Sequence, residues 1–224
     1  MKAIANTPTP WLRAVVFDLD EALLDRSRAW RYALEQAVLV VTGQRVDARA
    51  IEAEYRTRPW RHALSVVVAD TKDLGRCEEV CRDMYARSAM KHLLVHDGLG
   101  MALDSLRGAR IDMCAVSREP HRIALTQMES TGLDRFLGVL AATPAGEAWD
   151  AGERIAHCLT FLDRPAAVAA FVSGDLGDIG AAVRLGLHAA VAGWTGAESM
   201  RQPTLSHPRE LAGLARLLGG PERR

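Results

Sequence analysis

The chain has 224 residues, of which 49% are hydrophobic and 25% charged, a composition typical of one large globular domain or of one domain with an insertion. Its 28 basic residues balance its 28 acidic ones, so the net charge gives no reason to expect nucleic acid or a membrane surface as a partner. No apolar run is long enough to span a membrane, and the start, MKAIANTPTP, lacks the apolar core of a signal peptide, which predicts a cytoplasmic protein.

Five short apolar runs are predicted to be strands. Each is too short for a helix and lacks alternation of polar and apolar residues, as in strands buried on both faces. After the first run, helix-length amphipathic segments separate them, which is the pattern of a parallel sheet in an α/β fold. The runs are Ala14–Phe17, Ile111–Val116, Leu137–Ala142, Ala169–Val172 and His188–Ala192.

The segments between and after these runs carry apolar residues at helical spacing. They predict helices over Gly98–Arg107, Glu119–Ser130, Asp150–Leu162, Ile179–Leu185 and Arg209–Leu218.

A longer segment, from about Ser27 to about His92, separates the first strand from the second and reads as helices throughout. Its stretch LSVVVAD is rich in β-branched residues and is compatible with a strand, but a helix is favoured. The predicted division is therefore an α/β core over residues 1–26 and 93–224 and a helical cap over residues 27–92. An insertion at the carboxyl edge of a parallel sheet would cover the ligand crevice like a lid.

Polar residues stand where three of the predicted strands end. Asp18 and Asp20 follow the first run, Ser117 follows the second, and Asp175 follows the fourth. The carboxyl ends of parallel strands share one edge of a sheet, so these side chains are expected to lie close together. The structural alternatives are a strand-ending turn for the two aspartates, a strand-end hydroxyl for Ser117 and a helix-capping acid for Asp175.

Several segments, taken in order, resemble the motifs of the haloacid dehalogenase-like superfamily. VVFDLDEALLD is similar to motif one, usually hhhhDxDGT with h apolar, IDMCAVS to motif two, and AAFVSGDLGDIGAAVRLGL to motif four. The segments VHDGLGMALDSLRG and TGLDRFLGVLAAT resemble the stretches that flank motif two. The resemblance covers nearly the whole chain. It implies a Rossmann-like parallel sheet with a small helical cap inserted after the first strand.

The resemblance also implies an activity. Asp18 would attack phosphorus and form an aspartyl-phosphate, while Asp20 would protonate the leaving group and later activate water. Mg²⁺ would be held by Asp18, by the main-chain carbonyl of Asp20 and by Asp175, which are oxygen ligands suited to a hard cation. Asp178 is a possible second acid of motif four.

Phosphate binding would fall to Ser117 and to the adjacent Arg118. The implied reaction is Mg²⁺-dependent hydrolysis of a small phosphorylated metabolite. True dehalogenation is disfavoured, because dehalogenases of this superfamily lack the second aspartate that Asp20 supplies.

The chain departs from the family pattern at three places. Motif one reads Asp-Glu-Ala where Asp-Gly-Thr is usual, so Glu21 adds a negative charge. The acids of motif four, Asp175 and Asp178, are three residues apart instead of four. The lysine of motif three is missing from GEAWDAGER, although Arg118 or Arg154 could replace it. Loss of one such charge partner typically costs about 10²–10³ in rate.

These departures leave a second hypothesis open, in which the chain is a catalytically weakened relative that binds a ligand or a partner through the inherited crevice. The sequence makes no prediction of the substrate or of the oligomeric state.

Other patterns are favoured less. Cys77 and Cys81 lie one helical turn apart, but no further pair follows at zinc-finger spacing, so reduced thiols are expected. His92 and His96 are spaced like the pair of a zinc helix, yet surface or packing roles are favoured. GDLGDIG fits the motif-four turn better than a dinucleotide loop.

Overall fold

The structure, a computed structural model, describes residues 11–47, 60–144 and 148–219. The chain divides into two compact units. The first comprises the described residues of Met1–Leu23, His96–Ala124 and Asp134–Arg224. The second comprises those of Leu24–Val95 together with Leu125–Leu133, whereas the sequence predicts a cap of residues 27–92 alone.

A six-stranded sheet forms the centre of the first unit. Its strands are β1 (Ala14–Asp18), β4 (Asp112–Pro120), β5 (Val139–Thr143), β6 (Ala169–Ser173), β7 (His188–Ala192) and β8 (Thr204–Leu205). The intervening strands, β2 (Leu24–Asp25) and β3 (Leu94–Val95), belong to the second unit. The strand order of the six-stranded sheet is β5-β4-β1-β6-β7-β8, and every neighbouring pair is parallel. The predicted α/β fold with a parallel sheet is confirmed.

The strands form where the apolar runs allow burial on both faces. All five residues of β1 are buried, and Phe17 on β1 and Phe171 on β6 have no exposed surface. Four of the five predicted strands are matched within two residues at each end. The remaining one, β4, runs on to Pro120 through an irregularity after Ser117, instead of ending at Val116.

The described residues form eight α-helices, numbered in chain order. They are α1 (Ser27–Thr42), α2 (Trp60–Val67), α3 (Thr71–Arg87), α4 (Leu99–Gly108), α5 (His121–Thr131), α6 (Ala151–Leu162), α7 (Leu176–Arg184) and α8 (Leu214–Leu217). None in the described parts of the chain is both long and apolar enough to cross a membrane.

Helix boundaries differ from prediction where a local interaction overrides periodicity. Helix α7 begins at Leu176 instead of Ile179, because Asp175 caps it by accepting the N–H groups of Gly177 and Asp178. The predicted final helix is a 3₁₀ segment, Pro208–Gly213, followed only by the short α8.

The described residues of the second unit are mainly helical and include the two-residue strands β2 (Leu24–Asp25) and β3 (Leu94–Val95), which pair antiparallel. The helical prediction for LSVVVAD is confirmed for Leu64–Val67, which lie in α2. Residues 48–59 of the predicted helical cap lie outside the described residues. The indole of Trp30 stacks on the ring of Tyr85, with centroids 4.0 Å apart, so this tryptophan packs inside the unit.

Candidate active site

The two aspartates of the first motif are fixed by a tight turn at the carboxyl end of β1. Directly after Asp18 the chain makes one π-helical turn, Leu19–Leu23. The Asp18 Oδ1 atom accepts the backbone N–H groups of Asp20 at 3.0 Å and Glu21 at 3.1 Å. Asp18 and Asp20 are only 2% and 4% exposed, so both carboxyl groups are buried beside the central strand.

The far side of this turn is held by residues that follow β6 and β7. The carbonyl oxygen of Glu21 accepts the N–H of Gly174 at 2.8 Å, and that of Ala22 accepts the indole N–H of Trp194 at 3.0 Å. A Cβ on Gly174 would lie 2.7 Å from the Glu21 oxygen and closer still to Thr195 Oγ1. Only glycine therefore allows this close approach of the two loops.

Replacing Gly174 by alanine is expected to destabilise the protein by about 1–3 kcal/mol, because the added methyl group meets atoms that cannot easily move. Urea denaturation measures this change in the free energy of unfolding. The matched control is Gly180→Ala in α7, where a Cβ would meet the flexible end of Arg184 at 3.5 Å. The control should be neutral or stabilising, and equal destabilisation of both variants would contradict the close approach.

A buried hydroxyl links Asp18 to the motif-four loop. Ser173 Oγ donates to Asp18 Oδ2 at 2.7 Å and accepts the backbone N–H of Asp175 at 2.8 Å. Ser173 has no exposed surface. The sequence prediction missed this residue, although FVSGD repeats the strand-then-serine pattern that singled out Ser117.

Asp20 is held from the neighbouring strand β4. Its Oδ2 atom accepts the hydroxyl of Ser117 at 3.0 Å and the backbone N–H of Arg118 at 2.9 Å. The parallel pairing of β1 with β4 brings the ends of these strands together, since Asp18 lies opposite Val116 in register. Ser117 is 1% exposed, so its hydroxyl is committed to the interior of the site.

The two acids of motif four share one guanidinium group. Arg118 Nη2 lies 2.6 Å from Asp175 Oδ2 and 3.0 Å from Asp178 Oδ2. Arg154, on α6 and 5% exposed, approaches Asp178 at 3.8 Å and donates to the carbonyl oxygen of Trp149 at 2.6 Å. Both arginines considered as substitutes for the missing lysine therefore contact an acid of motif four.

The segment expected to carry the lysine differs from the family pattern. Residues 145–147 lie outside the described residues. Asp150, near the expected lysine–proline position, caps α6 by accepting the N–H of Glu153 at 2.8 Å, while the Glu153 carboxylate accepts the N–H of Asp150 at 2.7 Å. Asp150 and Glu153 therefore cap the amino terminus of α6.

The pKa values of the acids in the site are shifted in opposite directions. Burial, together with the negative charges of Asp20, Glu21 and Asp178, raises the pKa of Asp18 to about 7, against a lowering by the Ser173 hydrogen bond. Burial would also raise the pKa of Asp175, but the hydrogen bonds from Arg118 and from the helix terminus outweigh it and lower that pKa.

Asp178 faces the same guanidinium, yet burial dominates and its pKa is raised. Its side chain is 11% exposed, against 33% for Asp175. Burial acts to lower the pKa of Arg118, and the carboxylates of Asp175 and Asp178 outweigh it and raise that pKa. The guanidinium is therefore charged and serves the acids of motif four, whereas Asp18 is the acid whose ionisation the site opposes.

Because the site opposes the ionisation of Asp18, the stability of the protein depends on pH. The folded state holds the Asp18 proton up to about pH 7, whereas the unfolded state releases it near 3.8, so stability falls as pH rises through that window. The Asp18→Asn variant lacks this penalty. Between about pH 5 and about pH 8 its stability relative to the wild type should therefore rise, by up to about 3 kcal/mol.

Urea unfolding in the presence of a chelator measures this difference. The control is Asp97→Asn, at a side chain that is 91% exposed, which reports the effect of removing one surface charge. A stability difference between the wild type and Asp18→Asn that stays constant with pH would show that Asp18 is ionised as readily in the folded chain as in the unfolded one.

The acids do not form a ready metal site. Among residues 11–47, 60–144 and 148–219, no group of three or more His, Cys, Asp or Glu side chains is arranged to hold a metal ion. The carboxylate of Asp175, the expected third ligand, faces Arg118 and the amino terminus of α7. As they are placed, these residues do not fit a divalent cation unless Arg118 moves.

Comparison with known proteins gives a clear result for the fold. No family model and no curated protein matches the chain. A haloacid dehalogenase-superfamily hydrolase of subfamily IA from Geobacter sulfurreducens has a TM-score of 0.76 and 17% identity, covering 92% of this chain and 97% of that one.

Two further solved structures agree. A haloacid dehalogenase-like hydrolase from Streptococcus pneumoniae has a TM-score of 0.73 at 13% identity, over 91% of this chain and 98% of that one. CbbY from Rhodobacter sphaeroides, solved in complex with phosphate, has a TM-score of 0.66 at 18% identity, over 92% and 99%. With three motif-like segments in the family's order and these matches across nine-tenths of its length, the chain has the haloacid dehalogenase-like fold.

Proposed function

We propose that the protein hydrolyses a small phosphomonoester through an aspartyl-phosphate formed on Asp18. The observation that carries the proposal is the placement of two buried aspartates at the end of the central strand, each held by a different neighbour. Ser173 orients the first, and Ser117 with the backbone of Arg118 orients the second. This separates the two groups into distinct roles, as nucleophilic catalysis with general acid help requires.

The proposed reaction has two steps. With the proton of the acid pair on Asp20, a carboxylate oxygen of Asp18 attacks phosphorus, the bond from phosphorus to the ester oxygen breaks, and the leaving alkoxide takes that proton. Asp20 then accepts a proton from water as that water attacks the aspartyl-phosphate. Inorganic phosphate leaves, and the carboxylate of Asp18 and the acid form of Asp20 are restored.

Phosphate would be bound by Arg118, and by Ser117 once its hydroxyl turns from Asp20 to a phosphoryl oxygen. Both ion pairs of Arg118 use Nη2, and a guanidinium group carries five N–H donors in all, so it can face the acids and a phosphoryl oxygen together. Such a donor stabilises charge that develops on the phosphoryl oxygens. The phosphate complex of the similarly folded CbbY is consistent with this class of ligand.

The test is the purified protein against a panel of phosphomonoesters that includes an aryl phosphate, with Mg²⁺ varied and with a chelator. Release of phosphate above background for at least one ester is expected. The Mg²⁺ dependence implied by the resemblance stays a prediction, which the same titration examines. If every ester fails at every Mg²⁺ level, the hydrolase proposal is wrong and the binding hypothesis takes its place.

A further inference from the structure

Through its backbone and its side chain, Arg118 links Asp20 of motif one to Asp175 and Asp178 of motif four. Its backbone N–H donates to Asp20 at 2.9 Å, and its guanidinium spans Asp175 and Asp178 at 2.6 and 3.0 Å. Arg118 directly follows Ser117, whose hydroxyl also donates to Asp20. One residue of β4 thus contacts acids at the ends of both β1 and β6.

The carboxylate of Asp175 is engaged on both oxygens. Oδ1 accepts the N–H groups of Gly177 at 2.7 Å and Asp178 at 3.1 Å, at the start of α7. Oδ2 faces Arg118. A divalent cation requires close oxygen ligands, and its charge would repel a guanidinium at this distance. A cation that binds Asp175 must therefore displace Arg118.

We propose that Arg118 is an internal counter-ion that competes with divalent metal for Asp175 and Asp178. The inference rests on the proposed function for its choice of metal, because Mg²⁺ is the cation that the motif resemblance implies. The competition itself is a matter of binding. Failure of hydrolysis and failure of the competition are therefore separate results.

The size of the effect follows from the exposure of the pair. The Arg118 side chain is 46% exposed and that of Asp175 is 33% exposed, so solvent screens their attraction, but the second contact to Asp178 adds to it. Removing the guanidinium also leaves two carboxylates without this partner. We expect metal affinity to rise at least about tenfold.

The experiment is calorimetric titration of the full chain with Mn²⁺ alone, chosen because it takes the same oxygen ligands as Mg²⁺. The variant is Arg118→Gln. Its matched control is Arg164→Gln, since Arg164 forms a 2.8 Å ion pair with Asp112 and both side chains are 42% exposed. Arg118→Gln should bind Mn²⁺ at least about tenfold more tightly than the wild type, and the control should bind as the wild type does.

Two further variants test whether the added Mn²⁺ affinity arises at Asp175 and give a result if Arg118→Gln does not fold. The double variant Arg118→Gln, Asp175→Asn should lose most of the added affinity, because Asp175 holds the shorter of the two contacts that Arg118 releases. Arg118→Lys retains the charge, but its ammonium is more strongly hydrated and stands on a more flexible side chain, so it should hold the two carboxylates less well and give an intermediate affinity even if the glutamine variant fails to fold. Mn²⁺ should also raise the melting temperature of Arg118→Gln more than that of the wild type.

Equal or weaker Mn²⁺ binding by Arg118→Gln would overturn the proposal, and so would the absence of binding in both proteins. A gain that survives in the double variant would place the metal away from Asp175 and would equally overturn it. If only the lysine variant folds, affinity no higher than that of the wild type has the same consequence.

Discussion

Replacing Asp18 by asparagine is expected to lower phosphomonoester hydrolysis by at least about 10³-fold, to the background rate. The amide has nearly the shape of the carboxylate. Its oxygen can still accept the N–H groups of Asp20 and Glu21, which bond Asp18 Oδ1 in the native chain. What it lacks is the charge and the nucleophilic oxygen pair. The expected loss therefore reports chemistry and not a collapsed turn.

The matched control is Asp112→Asn. Asp112 begins β4 at the opposite edge of the same sheet and pairs with Arg164 at 2.8 Å, so its loss should leave turnover within a factor of about two. Mass spectrometry of acid-quenched protein adds a direct readout. The wild type should show one phosphoryl adduct and Asp18→Asn none. An adduct that persists in the variant would place the nucleophile elsewhere in the chain.

The sheet and the positions of its site residues could be predicted because they depend on local sequence. The run Ala14–Phe17 is apolar on both faces, which decides for a central strand, and the acids after it must then stand at its carboxyl end. The same reasoning placed Ser117 and Asp175. The structure links Ser117 to Asp20 and Ser173 to Asp18 through hydrogen bonds that each span one pair of neighbouring strands, and the backbone N–H of Asp175 donates to the same Ser173 hydroxyl.

The partners of the acids could not be predicted in this way. Arg118 contacts Asp175 across the strand that separates β4 from β6, and that contact depends on how a long side chain is oriented. Only three of the 28 basic residues are lysines, so arginine is abundant, and an arginine at a given position does not by itself indicate a functional residue. Ser173 was missed for a related reason, because its role appears only when the orientation of the Asp18 carboxylate is known.

The predicted start of a helix was wrong where capping competes with periodicity. Apolar spacing alone starts α7 at Ile179, but Asp175 accepts two N–H groups and starts the helix three residues earlier. This changes the interpretation of motif four. The three-residue spacing of its acids puts Asp178 in the first helical turn, where it faces Arg118 and Arg154. Asp175 both caps this helix and faces Arg118, so a capping role and a role in the site are compatible for it.

The second large effect expected concerns Asp20. Replacing it by asparagine should lower turnover of alkyl phosphates by about 10²–10⁴-fold, because an amide cannot give a proton to the departing oxygen. The loss of the first step should be much smaller for an aryl phosphate, whose phenolate leaves without a proton. The amide oxygen of Asp20→Asn can still accept the Ser117 hydroxyl and the Arg118 N–H that bond the native carboxylate, so the site should keep its shape.

Rapid mixing with an aryl phosphate separates the two steps of the reaction. In Asp20→Asn the aryl group should be released in a burst of about one equivalent and then slowly, because breakdown of the aspartyl-phosphate needs Asp20 to take a proton from water. The adduct seen by mass spectrometry should therefore accumulate in this variant beyond its level in the wild type. If alkyl and aryl esters lose the same factor and no burst forms, Asp20 does not transfer the proton. Its hydrogen bonds to Ser117 and Arg118 would then mark it as a positioning residue for the ends of β1 and β4.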